Sequence, residues 1–188
     1  SSDPSRAERT PYPPADIPTR SREGVRWSTD LLRSVIISLR PQQWYKNLIL
    51  FLGIIFSGNF LNPGLWGTLL LAFTAFCILS GSLYIFNDVK DIERDRLHPK
   101  KRNRPIAAGN LSPSLAVPTA AVLIIGAIVA GFIINPAFGV LCLAYLLIST
   151  SYTAYLKNYA IVDAIVIGVG FVIRAAAGCA AINVRISS

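Results

Sequence analysis

After about residue 43 the apolar positions of this chain neither alternate nor form one-sided stripes; they come in long runs that are apolar all round, separated by short polar breaks. A stripe would face a protein core, whereas roughly 20 residues apolar on every side suit hydrocarbon. Five such runs predict five membrane-crossing helices, at 44–61, 65–86, 115–134, 137–155 and 160–182. The first is the weakest, because Lys46 and Asn47 interrupt it and must face the bundle interior or the headgroups. Residues 1–30 are rich in Ser, Pro and Arg, with Pro11, Pro13, Pro14 and Pro18 too close together for a helix, and predict a disordered cytoplasmic tail without the apolar core of a signal peptide. Residues 31–39 predict a short amphipathic helix on the membrane surface, ended at Pro41. The expected fold class is all-α, a polytopic transmembrane helical bundle over residues 31–188.

Charge orients the bundle. The net charge is +8, and of eighteen Lys and Arg eight lie at or before Lys46 and seven between Lys90 and Arg104. Such clustering at the ends of apolar runs follows the positive-inside rule, so the expected partner is the lipid bilayer and not nucleic acid. The turns Asn62-Pro63-Gly64 and Asn135-Pro136 carry no charge, which puts them outside and the loop 87–113 in the cytoplasm, as expected for a multi-pass plasma-membrane protein. By alternation, Lys46, the loop, Lys157 and Asp163 meet at the cytoplasmic face. Cys77, Cys142 and Cys179 fall singly in apolar runs and are read as small core residues. Trp44, Tyr45 and Trp66 are read as interfacial anchors, with Tyr45 also placed to line a cleft beside Lys46. Gly109, Gly168, Gly170 and Gly178 are read as close-packing positions. The end at Ser188, with neither anchor nor polar tail, suggests a chain that stops part-way through a larger protein.

The sharpest local signal is Asn87-Asp88-Val89-Lys90-Asp91-Ile92-Glu93-Arg94-Asp95. If the second span continues as helix, Asn87, Asp91 and Asp95 stack at four-residue spacing with Asp88 beside them, and like charges so placed call for a cation. Oxygen ligands without His or Cys suit magnesium, which is commonly held by a carboxylate or two and by substrate phosphates. The alternative is a solvated loop whose acids pair with Lys90, Arg94 and Arg96. Arg102 and Arg104 offer forked donors to phosphate, and Lys46 and Lys157 are expected nearby. Asp163 and Arg174 lie inside the fifth run, eleven residues or about three turns apart, and are either a structural ion-pair set or substrate contacts. His98, alone in a polar loop, is assigned no chemistry.

Asn87-Asp88-x-x-Asp91-x-x-x-Asp95 at the end of a second span resembles the first aspartate-rich motif of the UbiA superfamily of intramembrane prenyltransferases. The segments 40–47 (RPQQWYKN), 102–109 (RNRPIAAG), Tyr152 to Asn158, Asp163 and 170–174 (GFVIR) are similar to one branch of that superfamily, in which a polyprenyl (decaprenyl) phosphate accepts a phosphoribosyl group from phosphoribosyl diphosphate. The resemblance runs from about Arg40 to the end. It implies a bundle, typically of nine spans, with a polar cavity opening to the cytoplasm above a lipid-accessible tunnel, and a product that feeds cell-wall arabinan. It further implies Asn87, Asp88, Asp91 and Asp95 as magnesium ligands. Asp91, Asp95, Lys157 and Asp163 are the expected catalytic groups, and Tyr45, Lys46, Arg102, Arg104, Tyr152 and Arg174 the substrate contacts. The superfamily's second polar motif lies beyond a sixth span and is absent from these residues, so this chain alone is expected to be inactive. The competing expectations are an aromatic prenyltransferase of the same superfamily, using a prenyl diphosphate, and a transporter or channel with Asp163 and Arg174 on its pathway.

Overall fold

The computed structural model of the protein describes residues 29–153 and 160–183. Ser1–Ser28, Lys157, Asn158 and Arg185 lie outside the described residues, as does the side chain of Asp163. Among the described residues every regular element is helical: α1 Thr29–Ser38, a 3-10 helix Pro41–Phe51, α2 Leu52–Phe56, α3 Pro63–Lys90, α4 Ile92–Leu97, a single 3-10 turn Lys101–Asn103, α5 Pro113–Ile134, α6 Pro136–Ser151 and α7 Ala160–Ala181. Three helices, α3, α5 and α7, are long and apolar enough to cross a membrane, and α6 is a shorter apolar helix. The protein is an integral membrane helical bundle.

The uncharged turns do double duty as helix starts. Asn62 accepts a hydrogen bond from the Gly64 amide ahead of Pro63, and Asn135 accepts from the amides of Ala137 and Phe138 ahead of Pro136. In each, the asparagine satisfies an orphan donor of the first turn and the proline occupies the position that needs none.

The expected first span is corrected by the structure. Residues 44–61 do not form one α-helix: Pro41–Phe51 winds as a 3-10 helix, five α-helical residues follow, and the chain turns from Ser57. At about 2.0 Å rise per residue for the first part and 1.5 Å for the second, these sixteen residues still reach about 30 Å, the thickness of a bilayer core. A 3-10 helix repeats every three residues, so Asn47, Leu50 and, in the next element, Gly53 face inward and are buried, while Tyr45 and Leu48 are exposed.

The elements close a ring. α3 packs on α5, α5 on α6, α6 on α7 and α7 on the 3-10 helix, which returns to α3. Phe76 of α3 meets Phe138 and Tyr145 of α6 at ring-centroid distances of 6.5 and 4.9 Å, filling the middle. A second cluster, with Leu39, Ile85, Ile106, Leu111, Ala116 and Ala120, lies beneath the charged loop and seats it on the bundle.

Of the four glycines expected to allow close packing, Gly178 does so decisively: a Cβ there would stand 1.9 Å from the Leu50 carbonyl oxygen. Gly109 instead serves a left-handed turn at φ 79, and a Cβ at Gly168 would meet nothing within 4 Å. Gly178→Ala must push α7 off the 3-10 helix and is expected to cost about 1–3 kcal/mol or more, read as a lower thermal midpoint in detergent. Gly168→Ala in the same assay leaves the midpoint unchanged or higher.

Candidate functional site

The acidic run keeps the helical progression anticipated for it, through a joint. α3 ends at Lys90, and Asp91 stands between it and α4 with φ −99 and ψ 14. The backbone ladder nevertheless continues, the Asp91 amide donating to the Asn87 carbonyl (3.0 Å) and the Asp95 amide to the Asp91 carbonyl (2.8 Å). Asn87, Asp91 and Asp95 thus follow one another a turn apart.

Asp88 and Asp95 of the acidic run face arginines. Arg104 donates through one nitrogen to Asp88 (3.0 Å) and to Asp95 (2.5 Å), and Arg40 pairs with the same Asp88 oxygen. Both carboxylates are almost fully buried, Asp88 at 3% and Asp95 at 1% exposure. A buried carboxylate demands such partners, because it has lost its water. Lys90, Arg94 and Arg96, the pairing expected if the loop were merely solvated, are not what holds these acids. Lys90 donates to the Thr153 carbonyl and Arg96 to Glu93. Arg104, expected to be presented to phosphate, is therefore committed to the protein's own aspartates. Arg102, two residues earlier, is exposed.

Arg40 was not among the expected site residues. It sits in the left-handed region at φ 53, its guanidinium 4.6 Å from the centre of the Tyr84 ring. The sequence signal for it was its place just before Pro41, where the surface helix ends and the first span begins.

Above the core, α3, α6, α7 and the 3-10 helix enclose a cavity of about 450 Å³. Its polar lining is Lys46, Ser80, Tyr84, Asn87, Tyr145, Ser149, Tyr152, Thr153 and Arg174. The expected site residues Lys46, Asn87, Tyr152 and Arg174 are thus brought together. Tyr45 is not: the three-residue period turns it outward, 64% exposed, and it does not line the cavity. A second space of about 400 Å³, with Leu83, Phe86, Val89 and Thr150 in its wall, adjoins the first through Leu83, Asn87 and Thr153.

At the inner end of the cavity a polar network is buried among apolar helices. Arg174 donates to the Asn47 side-chain oxygen (2.8 Å) and to the Tyr145 hydroxyl (2.9 Å), and Asn47 donates in turn to Ser80 (3.1 Å) and the Cys77 sulfur (3.2 Å). Asn47 and Tyr145, and Ser80 through Asn47, are the members of this network that sequence reasoning had not joined to Arg174. Their only sequence signal is polarity inside apolar runs.

The donor chemistry suits a hard cation in part. Asn87 and Asp91, one turn apart, supply oxygen donors of the kind a hard cation takes, and Asp88 and Asp95 are held by guanidinium groups. Among the described residues no three His, Cys, Asp or Glu side chains are gathered to hold a metal by themselves. With substrate phosphates and water as the remaining ligands, Asn87 and Asp91 could hold a divalent cation.

Residues 48–188 match the UbiA prenyltransferase family. The chain is 33% identical over 162 residues to the decaprenyl-phosphate phosphoribosyltransferase of Mycolicibacterium smegmatis, covering 84% of this chain and 51% of that protein. It is 32% identical to the protein of that name from Corynebacterium glutamicum, covering 84% and 49%. To the nodulation protein NoeC of Azorhizobium caulinodans it is 31% identical over 150 residues, covering 78% and 48%. The chain spans about half the length of the curated relatives it matches.

Proposed function

The chain belongs to the UbiA prenyltransferase family, and from that premise we propose that it forms the first half of a transferase moving a 5-phosphoribosyl group from phosphoribosyl diphosphate to a polyprenyl phosphate. The observation that carries the reading is the cavity wall. Two cations, Lys46 and Arg174, and no carboxylate line it among the described residues, while Asn87 lines it as well and Asp91 follows Asn87 by one helical turn. Phosphorylated substrates match both features, and the names of the relatives agree.

In the proposed reaction the bond between ribose C1 and the diphosphate oxygen breaks, a bond from C1 to an oxygen of the lipid phosphate forms, and inorganic diphosphate leaves. No protein nucleophile is required. Magnesium bound at Asn87 and Asp91 would supply charge to the departing diphosphate. Asp88 and Asp95, through Arg40 and Arg104, fix the joint on which that pair stands. Lys46 and Arg174 bind phosphate oxygens, and Tyr152 closes the wall beside them. Lys157 and Asp163 are assigned to orienting the substrates, and exposed Arg102 to drawing the anionic donor to the face of entry. That face is the cytoplasmic side of the plasma membrane, since loop 87–113 carries seven of the basic residues. The lipid product would serve arabinan synthesis in the cell wall.

The test uses membranes carrying the protein at its full native length, supplied with radiolabelled phosphoribosyl diphosphate and decaprenyl phosphate. Label entering the lipid phase with magnesium, and not with EDTA, is the expected result. Label absent from lipid although folded protein is present sinks the reading, and the same membranes are then assayed with a prenyl diphosphate and an aromatic acid.

A further inference from the structure

The cavity has two ends of opposite character. Its α3 wall runs through Ser80, Leu83, Tyr84 and Asn87, about 10 Å of helix. Asn87 marks the end beside the acidic run. Arg174 marks the other, because Asn47 bridges it to Ser80.

Arg174 is 7% exposed within an apolar helix, yet its described partners are all uncharged: the Asn47 oxygen, the Tyr145 hydroxyl, and the ring faces of Tyr145, Phe171 and Phe76 at 4.9 to 5.9 Å. A buried cation without a counter-charge is costly, and proteins ordinarily supply a carboxylate. None is in place here among the described residues. Asp88 and Asp95 are engaged by Arg40 and Arg104, and Asp163 precedes Arg174 by eleven residues, about 16 Å along α7. Lys46, next in the chain to Asn47, puts a second cation in the lining of the same cavity. The two neutral acceptors orient the guanidinium while leaving further N–H groups of its fork for a ligand.

We propose that this end of the cavity is a phosphomonoester site that works without a metal, Arg174 and Lys46 holding the phosphate directly by charge-assisted hydrogen bonds. Two cations match one dianionic phosphate. A diphosphate carries more charge and draws on a metal, for which the oxygen ligands stand at the opposite end. The cavity therefore divides phosphates by type: diphosphate at Asn87 and Asp91, monoester at Arg174 and Lys46. The inference rests on the transferase reading only for the source of the monoester. The 5-phosphate of a phosphoribosyl donor and the terminal phosphate of a polyprenyl phosphate present the same group.

The test is calorimetric titration of this chain in lipid nanodiscs with EDTA present. One arm uses ribose 5-phosphate and the other farnesyl phosphate added to the bilayer. Binding of at least one is expected, shifted no more than about twofold by magnesium. The affinity falls about tenfold or more in Arg174→Gln and by a smaller factor in Lys46→Gln. Binding of the sugar phosphate alone assigns the site to the donor, of the lipid phosphate alone to the acceptor, and of both to a shared well; each supports the proposal. No binding in EDTA, or binding unmoved by both substitutions, overturns it. Should Arg174→Gln not fold, Lys46→Gln and the magnesium comparison on the unsubstituted chain decide. Because the titration needs no turnover, the two ideas fail separately. Monoester binding without transfer to lipid removes the transferase reading, and transfer without this binding removes the site.

Discussion

Arg104→Ala is expected to cost the fold about 3–5 kcal/mol, because it leaves two buried carboxylates short of a partner at once. Asp88 would keep Arg40, but Asp95 has no other ion pair among the described residues and is 1% exposed. Denaturation by SDS titration from mixed micelles measures the loss. Arg102→Ala, an exposed neighbour two residues away, is the comparison and should change stability by about 0.5 kcal/mol or less. Replacing Asp95 by Asn in the Arg104→Ala background removes the orphaned charge and should recover part of the loss. A single substitution as mild as Arg102→Ala would mean that Arg104 is not what holds the loop to the end of α3.

Asp91→Ala in the protein at full native length is expected to reduce magnesium-dependent phosphoribosyl transfer by about 10²- to 10³-fold, the usual effect of removing one group that stabilises developing charge. Asp91 stands at the joint between α3 and α4 and lies in the interior of neither helix, so folding should survive. Initial rates across a magnesium titration separate a lost ligand from a general injury: the lost ligand raises the magnesium needed for half-maximal rate. Retained turnover with an unchanged magnesium requirement would move the metal away from Asn87 and Asp91 altogether.

The long helices α3, α5 and α7 were legible in the sequence because a run apolar on every side admits one solvent and one secondary structure. The 3-10 segment was not. Lys46 and Asn47 interrupt its apolar run, and eleven residues are too few to separate a period of 3.0 from one of 3.6. At the site, the acidic run announced its own helical spacing, and the structure keeps it. What stayed hidden was who pairs with whom: six basic residues follow α3 closely, and nothing in their order marks Arg104 as the one that reaches Asp88 and Asp95. Arg174 was conspicuous as an ion in an apolar run. Its partners were not, since Asn47 and Tyr145 lie far from it in the chain, and neither the break that Asn47 makes in the first run nor the lone hydroxyl of Tyr145 points to Arg174. Tyr45 and Asn47 show the same limit at short range, two residues apart and on opposite faces.

The 3-10 winding of Pro41–Phe51 makes that segment unforgiving of changes in length. Each residue turns the chain by about 120° and advances it about 2 Å. One residue inserted ahead of Asn47 would swing that amide a third of a turn off Arg174, and two would swing it the other way. Three would return the facing but sink it about 6 Å along the axis, past the level of its partner. Neither phase nor depth can therefore be restored without losing the other, and the eleven-residue count is as much a part of the cation's setting as the side chains that touch it.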